Sequence, residues 1–397
     1  MSRNGIIAIV VLICLVGGSA GYVLLGKGTG SDDDDATYEE GYPRTVEDFY
    51  GNKVTFYESP KRIVTMGMEF LAYLGPEITE RVIWTSGSKS STDADPLLDL
   101  FDLDDVATVS GSMISNVENI IAKKPDLVLM GDARTSENDR IEFKNTLNAV
   151  GINVFFFTNQ SNLFSNSKEC IELNLIPMSK IFNMEERANT LLNFVNTKTD
   201  ELAERLSGVD NSVLKNVYVG GGAGKQMPNF LGSSANTYFP IMYLDGYVNN
   251  IMKDIAPDVE HTKFDDFERL YQYESEVANI DYIFVSQSCW TDFRTMWNSD
   301  STRFEALEAF KTGDVYFVMN WFPRSTNPLI SAYSIAAQMF PEQFSDFDIR
   351  DLIEETFELF YGFEGAGAEA YNVLVGKTKY TTGQDIEIFG KIDLTKL

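Results

Sequence analysis

Four short segments of the sequence place aromatic, polar and charged side chains directly after hydrophobic runs. The side chains in them that could contact a ligand are Met68, Glu69, Arg134, Gln287, Trp290, Trp321 and Arg324. In open parallel sheets, ligands bind beyond the carboxyl ends of the strands, so these segments predict a common binding site. Guanidinium groups suit the carboxylates or catecholates around a chelated metal, and indole rings suit a flat or apolar chelator. Core packing or a surface position is the alternative for each residue.

The glycine-rich run Gly220–Lys225 follows a predicted strand and is a candidate phosphate-binding loop. Val219 stands where a Walker loop has its first glycine, and Gln226 replaces the serine or threonine that binds magnesium. Lys225 occupies the third glycine position of the dinucleotide pattern. The run therefore predicts a flexible strand-to-helix turn at a ligand-binding face rather than a nucleotide site.

The residue types give little support for metal or nucleophile chemistry. His261 is the only histidine, no two cysteines have the spacing of metal ligands, and no Gly-x-Ser-x-Gly turn is present. The sequence predicts neither a directly bound transition metal nor an enzyme, with carboxylate-based hydrolysis left open. Whether Cys170 and Cys289 pair is also open, because only the fold decides their separation.

The overall charge is strongly negative. The chain has 59 acidic and 32 basic residues among 397, for a formal net charge of -27. Such a surface repels phosphate backbones and anionic lipid headgroups, which argues against nucleic-acid binding. A chain of this length favours two domains.

The N-terminus has the pattern of an export signal or a signal anchor. Arg3 precedes an apolar run from Gly5 to Leu25, which is long enough to span a bilayer. Cys14 is a poor lipidation site, because Ile13 replaces the small residue of a lipobox. A retained anchor is our expectation, and cleavage after Ala20 is the alternative.

Alternating β and α patterns fill the rest of the chain. Strands are predicted at Arg62–Thr65, Arg81–Trp84, Leu127–Met130, Asn153–Phe157, Asn216–Val219, Tyr282–Val285 and Val315–Val318. Helices are predicted at Asn116–Lys124, Asn138–Val150, Met184–Leu206, Ser331–Met339 and Ile349–Phe360. Helices between strands imply right-handed crossovers and mainly parallel sheets, with few antiparallel pairs. The expected architecture is α/β, with two Rossmann-like lobes joined by one long helix and a ligand cleft between the lobes.

The predicted domain organisation has five parts. Residues 1–26 are the signal anchor or signal peptide, and residues 27–44 are an acidic linker kept extended by charge repulsion. Residues 45–183 form the N-terminal lobe, 184–207 the connecting helix and 208–397 the C-terminal lobe.

Several segments together resemble a known family. They are Thr45–Asp48, Gly51–Val54, Ser59–Val64, Asn116–Val128, Asn279–Val285 and Ala336–Phe344. The most specific match is Asn116–Val128, which contains Glu118 and Lys124-Pro125-Asp126 and is similar to the family's helix-to-strand signature, in which a glutamate precedes a Lys-Pro-Asp turn. On these segments the chain resembles the ABC-importer binding proteins for ferric siderophores, haem and vitamin B12.

The resemblance implies a function and partners. It implies two rigid lobes joined by a helical backbone, with a metal chelate in the cleft that is delivered to an ABC permease and its ATPase. From the N-terminal segment and the polar linker we expect a monomer tethered at the extracytoplasmic face of the membrane, and we expect no cofactor. The resemblance also implies one glutamate per lobe that meets arginines of the permease. Glu118 matches the first, and Glu274 or Glu268 is the candidate for the second.

Two alternatives from other classes remain. The two-lobe scaffold also serves nitrogenase-like enzymes and cofactor-holding subunits, but these are cytoplasmic and ligate clusters through cysteines. The export segment and the three cysteines argue against that reading. A surface sensor or adhesin without transport is the other alternative, which neighbouring permease and ATPase genes would exclude.

Overall fold

A five-stranded parallel sheet organises the first half of the chain. It follows an antiparallel hairpin of β1 (Arg44–Glu47) and β2 (Lys53–Phe56). The sheet strands are β3 (Ile63–Thr65), β4 (Val82–Ser86), β5 (Ala107–Val109), β6 (Leu127–Gly131) and β7 (Asn153–Phe157). Their order is β5-β4-β3-β6-β7, and every pair is parallel. We call this sheet and its helices the first lobe.

The structure is a computed structural model, and it describes residues 38–86, 100–101, 106–109, 112–131, 135–158, 166–221, 230–234, 240–255, 261–263, 267–319, 326–386 and 388–397. The predicted N-terminal apolar segment, most of the predicted linker and three candidate ligand-binding residues lie outside these ranges. The three residues are Arg134, Trp321 and Arg324. Among the described residues, no helix has the length and apolarity needed to cross a bilayer.

The helices of the first lobe lie between its strands or follow its last strand, β7. They are α1 (Glu69–Leu74), α2 (Pro76–Thr79), α3 (Val117–Lys123), α4 (Glu137–Asn148), α5 (Ser167–Cys170) and α6 (Ile176–Ile181). Local chemistry sets their ends: the Ser136 hydroxyl accepts the Asp139 amide to start α4, and α3 stops where Lys124 turns left-handed before Pro125. A π-helical segment, Ile171–Leu175, joins α5 to α6.

A second sheet organises the other half. Its strands are β8 (Lys215–Gly220), β10 (Val248–Asn250), β12 (Tyr282–Ser286), β13 (Val315–Val318) and β14 (Phe389–Lys391), in the order β10-β8-β12-β13-β14. All pairs are parallel except β13 with β14. Two further strands, β9 (Gly232–Ser234) and β11 (His261–Lys263), form an antiparallel pair.

The described part of the second half also contains eight helices. They are α8 (Met252–Ile255), α9 (Glu268–Glu276), α10 (Trp290–Ser299), α11 (Thr302–Glu305), α12 (Glu308–Thr312), α13 (Asn327–Met339), α14 (Ile349–Tyr361) and α15 (Ala366–Thr382). We call the second sheet with β9, β11 and α8–α13 the second lobe. The 22-residue helix α7, Glu185–Leu206, lies between the two lobes in sequence and buries a stripe that includes Leu191, Val195 and Leu202.

Equivalent aspartates hold the start of each sheet. Asp126, directly before β6, accepts the backbone amides of Lys61 and Arg62 at 2.8 and 3.0 Å, at the entry to β3. Asp281, directly before β12, accepts the amide of Asn216 in β8 at 2.8 Å. In both lobes, a carboxylate thus fixes two neighbouring strands at their amino ends.

The two C-terminal helices pack against each other, and the earlier one, α14, also packs against the first lobe. Gly367 of α15 lies so close to α14 that a β-carbon there would be 2.0 Å from the Glu354 carbonyl oxygen. On its other side, α14 meets α1, where the Tyr73 and Phe360 rings are 4.8 Å apart, edge to face. The end of the chain therefore supports a helix of the first lobe.

The structure confirms the predicted α/β class, with two mainly parallel sheets and one long helix between them. It adds three antiparallel pairs, of which β13 with β14 closes the edge of the second sheet. Among the elements that the sequence pattern did not predict are α1, α15 and β14. Cys170 and Cys289 are both buried and are not joined by a disulfide.

Candidate functional site

A cavity of about 190 Å³ lies at the carboxyl ends of β3 and β7. Its lining is Thr65, Met66, Gly67, Glu69, Phe70, Leu71, Phe157, Thr158, Cys170 and Met178. In parallel sheets, ligands bind beyond the carboxyl ends of the strands, which we call the strand-end rule, and the cavity has this position.

One wall of the cavity is the tight turn from β3 into α1. The strand ends at Thr65, whose hydroxyl donates a hydrogen bond of 2.7 Å to the Gly67 carbonyl oxygen. Gly67 has φ +92°, a conformation that L side chains rarely adopt, so the turn requires glycine. The helix then begins at Glu69, and its first turn faces the cavity with Glu69, Phe70 and Leu71.

The opposite wall comes from β7 and the helical segment that includes the π-turn. Thr158, directly after β7, donates its amide to the Asn174 side-chain oxygen at 2.9 Å. Asn174 is fully buried in the π-segment and donates its own amide to the Cys170 carbonyl oxygen at 3.2 Å. π-Helical segments occur often at functional sites. This one connects the end of β7 to the two helices that supply Cys170 and Met178 to the cavity.

The lining is mainly apolar, with thioether, aromatic and aliphatic groups. Its polar side chains are the hydroxyls of Thr65 and Thr158 and the carboxylate of Glu69. Binding sites for organic ligands have this composition: an apolar wall with a few fixed polar groups that orient the ligand. The described part of the chain holds no cluster of three or more His, Cys, Asp or Glu side chains that could bind a metal ion.

The predicted ligand-binding residues of the first lobe have different environments. Glu69 lines the cavity, whereas Met68 is 3% exposed and belongs to the hydrophobic core. The strand-end rule could also have found Thr158, which follows β7 directly. Cys170 and Met178 gave no sequence signal, because only tertiary packing brings their helical segment to the strand ends.

The predicted residues of the second lobe lie at the carboxyl end of β12. Gln287 is half-buried in a 3-10 turn after the strand. Trp290 is 1% exposed, with its ring 5.6 Å from that of Phe293 and 5.5 Å from that of Phe317. A ligand would reach the indole face only if these neighbours moved. The Trp290 indole N–H is buried and has no acceptor among the described residues.

A hydrogen bond joins the cavity wall to the second half of the chain. The Ser167 amide, at the start of α5, donates to the Tyr243 hydroxyl at 3.0 Å. Burial raises the pKa of Tyr243, so the hydroxyl stays neutral at physiological pH. The helical segment behind the cavity is thereby held against residues that precede β10.

The three candidate docking glutamates differ in what their carboxylates do. Glu118, in the first turn of α3, and Glu268, in the first turn of α9, are exposed. Glu274 is half-buried and accepts the amides of Ile280 and Glu308 at 3.1 and 3.0 Å. The carboxylate of Glu274 thus holds the loop before β12 and the start of α12.

Solved structures of low sequence identity share this fold. The TroA-like periplasmic binding protein FepB from Veillonella parvula is 17% identical, with a TM-score of 0.59, and the match covers 80% of this chain and 96% of that one. CeuE from Helicobacter pylori with Ni(II) bound is 20% identical, with a TM-score of 0.59 and coverage of 82% and 98%. The molybdate-binding protein MolA from Haemophilus influenzae is 18% identical, with a TM-score of 0.59 and coverage of 81% and 98%.

A family model establishes the relationship at the sequence level. No curated protein matches the chain significantly. The model described as periplasmic binding protein matches residues 82–320, which is more than half of the chain and includes strands of both sheets. The chain therefore belongs to the periplasmic binding protein family, the solute-binding proteins of ABC importers.

Proposed function

We propose that this protein binds an iron chelate (a ferric siderophore or haem) or a cobalamin outside the cytoplasm and delivers it to an ABC permease. The cavity at the ends of β3 and β7 is the observation that carries the proposal. Its apolar wall suits the organic surface of a chelator, while Glu69 and the two threonine hydroxyls suit polar groups at the chelator's edge. The protein's role is capture and delivery, without catalysis.

The similar structures support a metal-containing ligand. One of them holds Ni(II) and another holds molybdate, so this fold accommodates metals in more than one chemical form. An organic chelate fits the apolar lining better than a bare oxyanion does, because an oxyanion needs hydrogen-bond donors on most of its surface.

Calorimetric titration against a panel tests the ligand class. The panel contains a ferric hydroxamate, a ferric catecholate, haem, cobalamin, free ferric ion, molybdate and a sugar. Met66→Trp fills the cavity, and the matched control Met296→Trp enlarges a half-buried methionine on α10 of the second lobe. We expect one chelate to bind wild type and the control, and to lose at least tenfold in affinity with Met66→Trp. Tight binding of free ferric ion, molybdate or sugar, with every chelate failing, would overturn the proposal.

For permease docking we propose the pair Glu118 and Glu268. Both are exposed carboxylates in the first turn of a helix, one in each lobe, and an exposed carboxylate suits a surface that meets arginines of a partner. Glu274 is the weaker candidate because its carboxylate already accepts two backbone amides of its own lobe.

A further inference from the structure

The helix that lines the cavity is fastened at its far end by a single guanidinium group. Arg187, in the first turn of α7, donates from Nε to the Tyr73 carbonyl oxygen at 2.5 Å, in the last turn of α1. The same side chain donates from Nη2 to the carbonyl oxygens of Leu359 and Phe360 at 3.3 and 3.1 Å, near the end of α14. These are helix-terminal carbonyls that lack an intrahelical donor and favour a nearby positive charge.

The surroundings leave little freedom to this contact. Tyr73 is fully buried, with its ring edge to face on Phe360 and stacked 6.2 Å from Tyr361. Gly362, just after α14, has φ +73°, and a β-carbon there would lie 2.6 Å from Arg187 Nη2. The space that the guanidinium occupies is therefore available only with glycine at position 362.

Three helices from distant parts of the sequence consequently meet at Arg187. Desolvation of a guanidinium is unfavourable, and three carbonyl acceptors offset that cost. Because α1 has only six residues, a shift at Tyr73 is passed to the first turn, which faces the cavity with Glu69 and Phe70.

We propose that Arg187 is a positioning residue of the ligand site: it holds α1 against α7 and α14, and so fixes the cavity wall formed by Glu69, Phe70 and Leu71. The expected effect of Arg187 on ligand affinity rests on the proposed function, whereas its effect on the position of α1 does not. The wall of the binding cavity then depends on α14, which lies outside the residues matched by the family model.

Arg205 provides a matched control on the same helix. It lies at the opposite end of α7, donates to the Gln343 carbonyl oxygen at 3.0 Å, and pairs with Asp346 through both terminal nitrogens, the closer at 2.7 Å. Arg205 likewise ties α7 to a later segment through a guanidinium, but α1 is not among its hydrogen-bond partners.

The experiment compares Arg187→Gln, Arg187→Lys and Arg205→Gln in the full chain, purified in detergent. Amide hydrogen exchange of residues 69–74 reports the anchoring, and titration with the chelate that wild type binds reports the consequence. We expect exchange of these amides to rise, and affinity to fall, at least tenfold in Arg187→Gln, with Arg205→Gln close to wild type. Arg187→Lys keeps the positive charge but not the forked guanidinium group, so its amide exchange and affinity should lie between those of Arg187→Gln and Arg205→Gln. It takes the place of Arg187→Gln in the comparison if that variant does not fold.

Two results would overturn the inference. One is equal protection of residues 69–74 in the Arg187 and Arg205 variants; the other is raised exchange in Arg187→Gln without a loss of affinity. If wild type binds no chelate of the panel, the proposed function fails, and the exchange comparison alone decides whether Arg187 holds α1.

Discussion

Gly367→Ala tests how closely α14 and α15 pack. Glycine within a helix is about 1 kcal/mol less favourable than alanine, so helix propensity alone predicts stabilisation by the substitution. The structure predicts the opposite, since the new methyl group would lie 2.0 Å from the Glu354 carbonyl oxygen and 2.7 Å from its carbon. Those atoms are backbone and cannot rotate away, so the two helices must separate.

The expected magnitude follows from these two opposing effects. Overpacking in a core costs about 1–3 kcal/mol, and a backbone clash belongs at the upper end of that range. After subtracting the gain in helix propensity, Gly367→Ala should lower the free energy of unfolding by about 2 kcal/mol. Gly376→Ala is the matched control: it lies in the same helix with nothing within 4 Å of its added β-carbon. It should raise the free energy of unfolding by about 0.5–1 kcal/mol.

Urea unfolding followed by far-ultraviolet circular dichroism measures both variants, with the slope m checked for constancy so that the midpoints report stability. Opposite shifts of the two midpoints support the packing argument. Stabilisation by Gly367→Ala as large as that by Gly376→Ala would refute it, because α14 and α15 would then be further apart than described.

Further predictions concern docking, pH and the N-terminal segment. Glu118→Arg and Glu268→Arg should leave the melting temperature and ligand affinity near wild type but impair ATPase stimulation in the reconstituted transporter; normal transport would reduce either residue to a surface carboxylate. Glu274→Ala should instead lower the free energy of unfolding by about 1–3 kcal/mol, by leaving amides without their acceptor, and an unchanged urea midpoint would contradict this. Burial raises the pKa of Tyr316 to about 12, above its value in the unfolded chain. The contribution of the neutral hydroxyl to the free energy of unfolding is therefore complete below pH 10 and is lost as pH rises toward 12. Tyr316→Phe should make the free energy of unfolding depend less on pH over that interval. A chain beginning at Ser31 should be soluble and monomeric by gel filtration, and membrane partitioning would contradict the tether.

The seven predicted strands and the five predicted helices are all present, because their signals are local. Strand β13 is a run of four buried β-branched or aromatic residues, and its predicted and observed bounds, Val315–Val318, coincide. Helix α7 differs by one residue from its prediction, since its apolar positions recur along 22 residues. By contrast, β14 has three residues, two of them Gly390 and Lys391, and forms only because β13 offers a free edge.

The site was less predictable. Glu69 was identified from the strand-end rule, but α1 was not, because residues 70–74 are all buried and show no amphipathic period. Cys170 reaches the cavity through a helix whose position depends on Asn174 bonding to the end of β7. The role of Glu274 depends on the amide of Glu308, 34 residues away, which no local pattern reveals.

Asp126 and Asp281 each hold the starts of two neighbouring strands in one sheet. Asp126 fixes the edge of the first sheet where the strands begin, and the opposite edge, where β3 and β7 end, carries cavity residues. Asp281 fixes the corresponding starting edge of the second sheet. A substitution at the carboxyl edge of the first sheet can therefore change the lining of the cavity without removing the contacts that align the strands at the other edge.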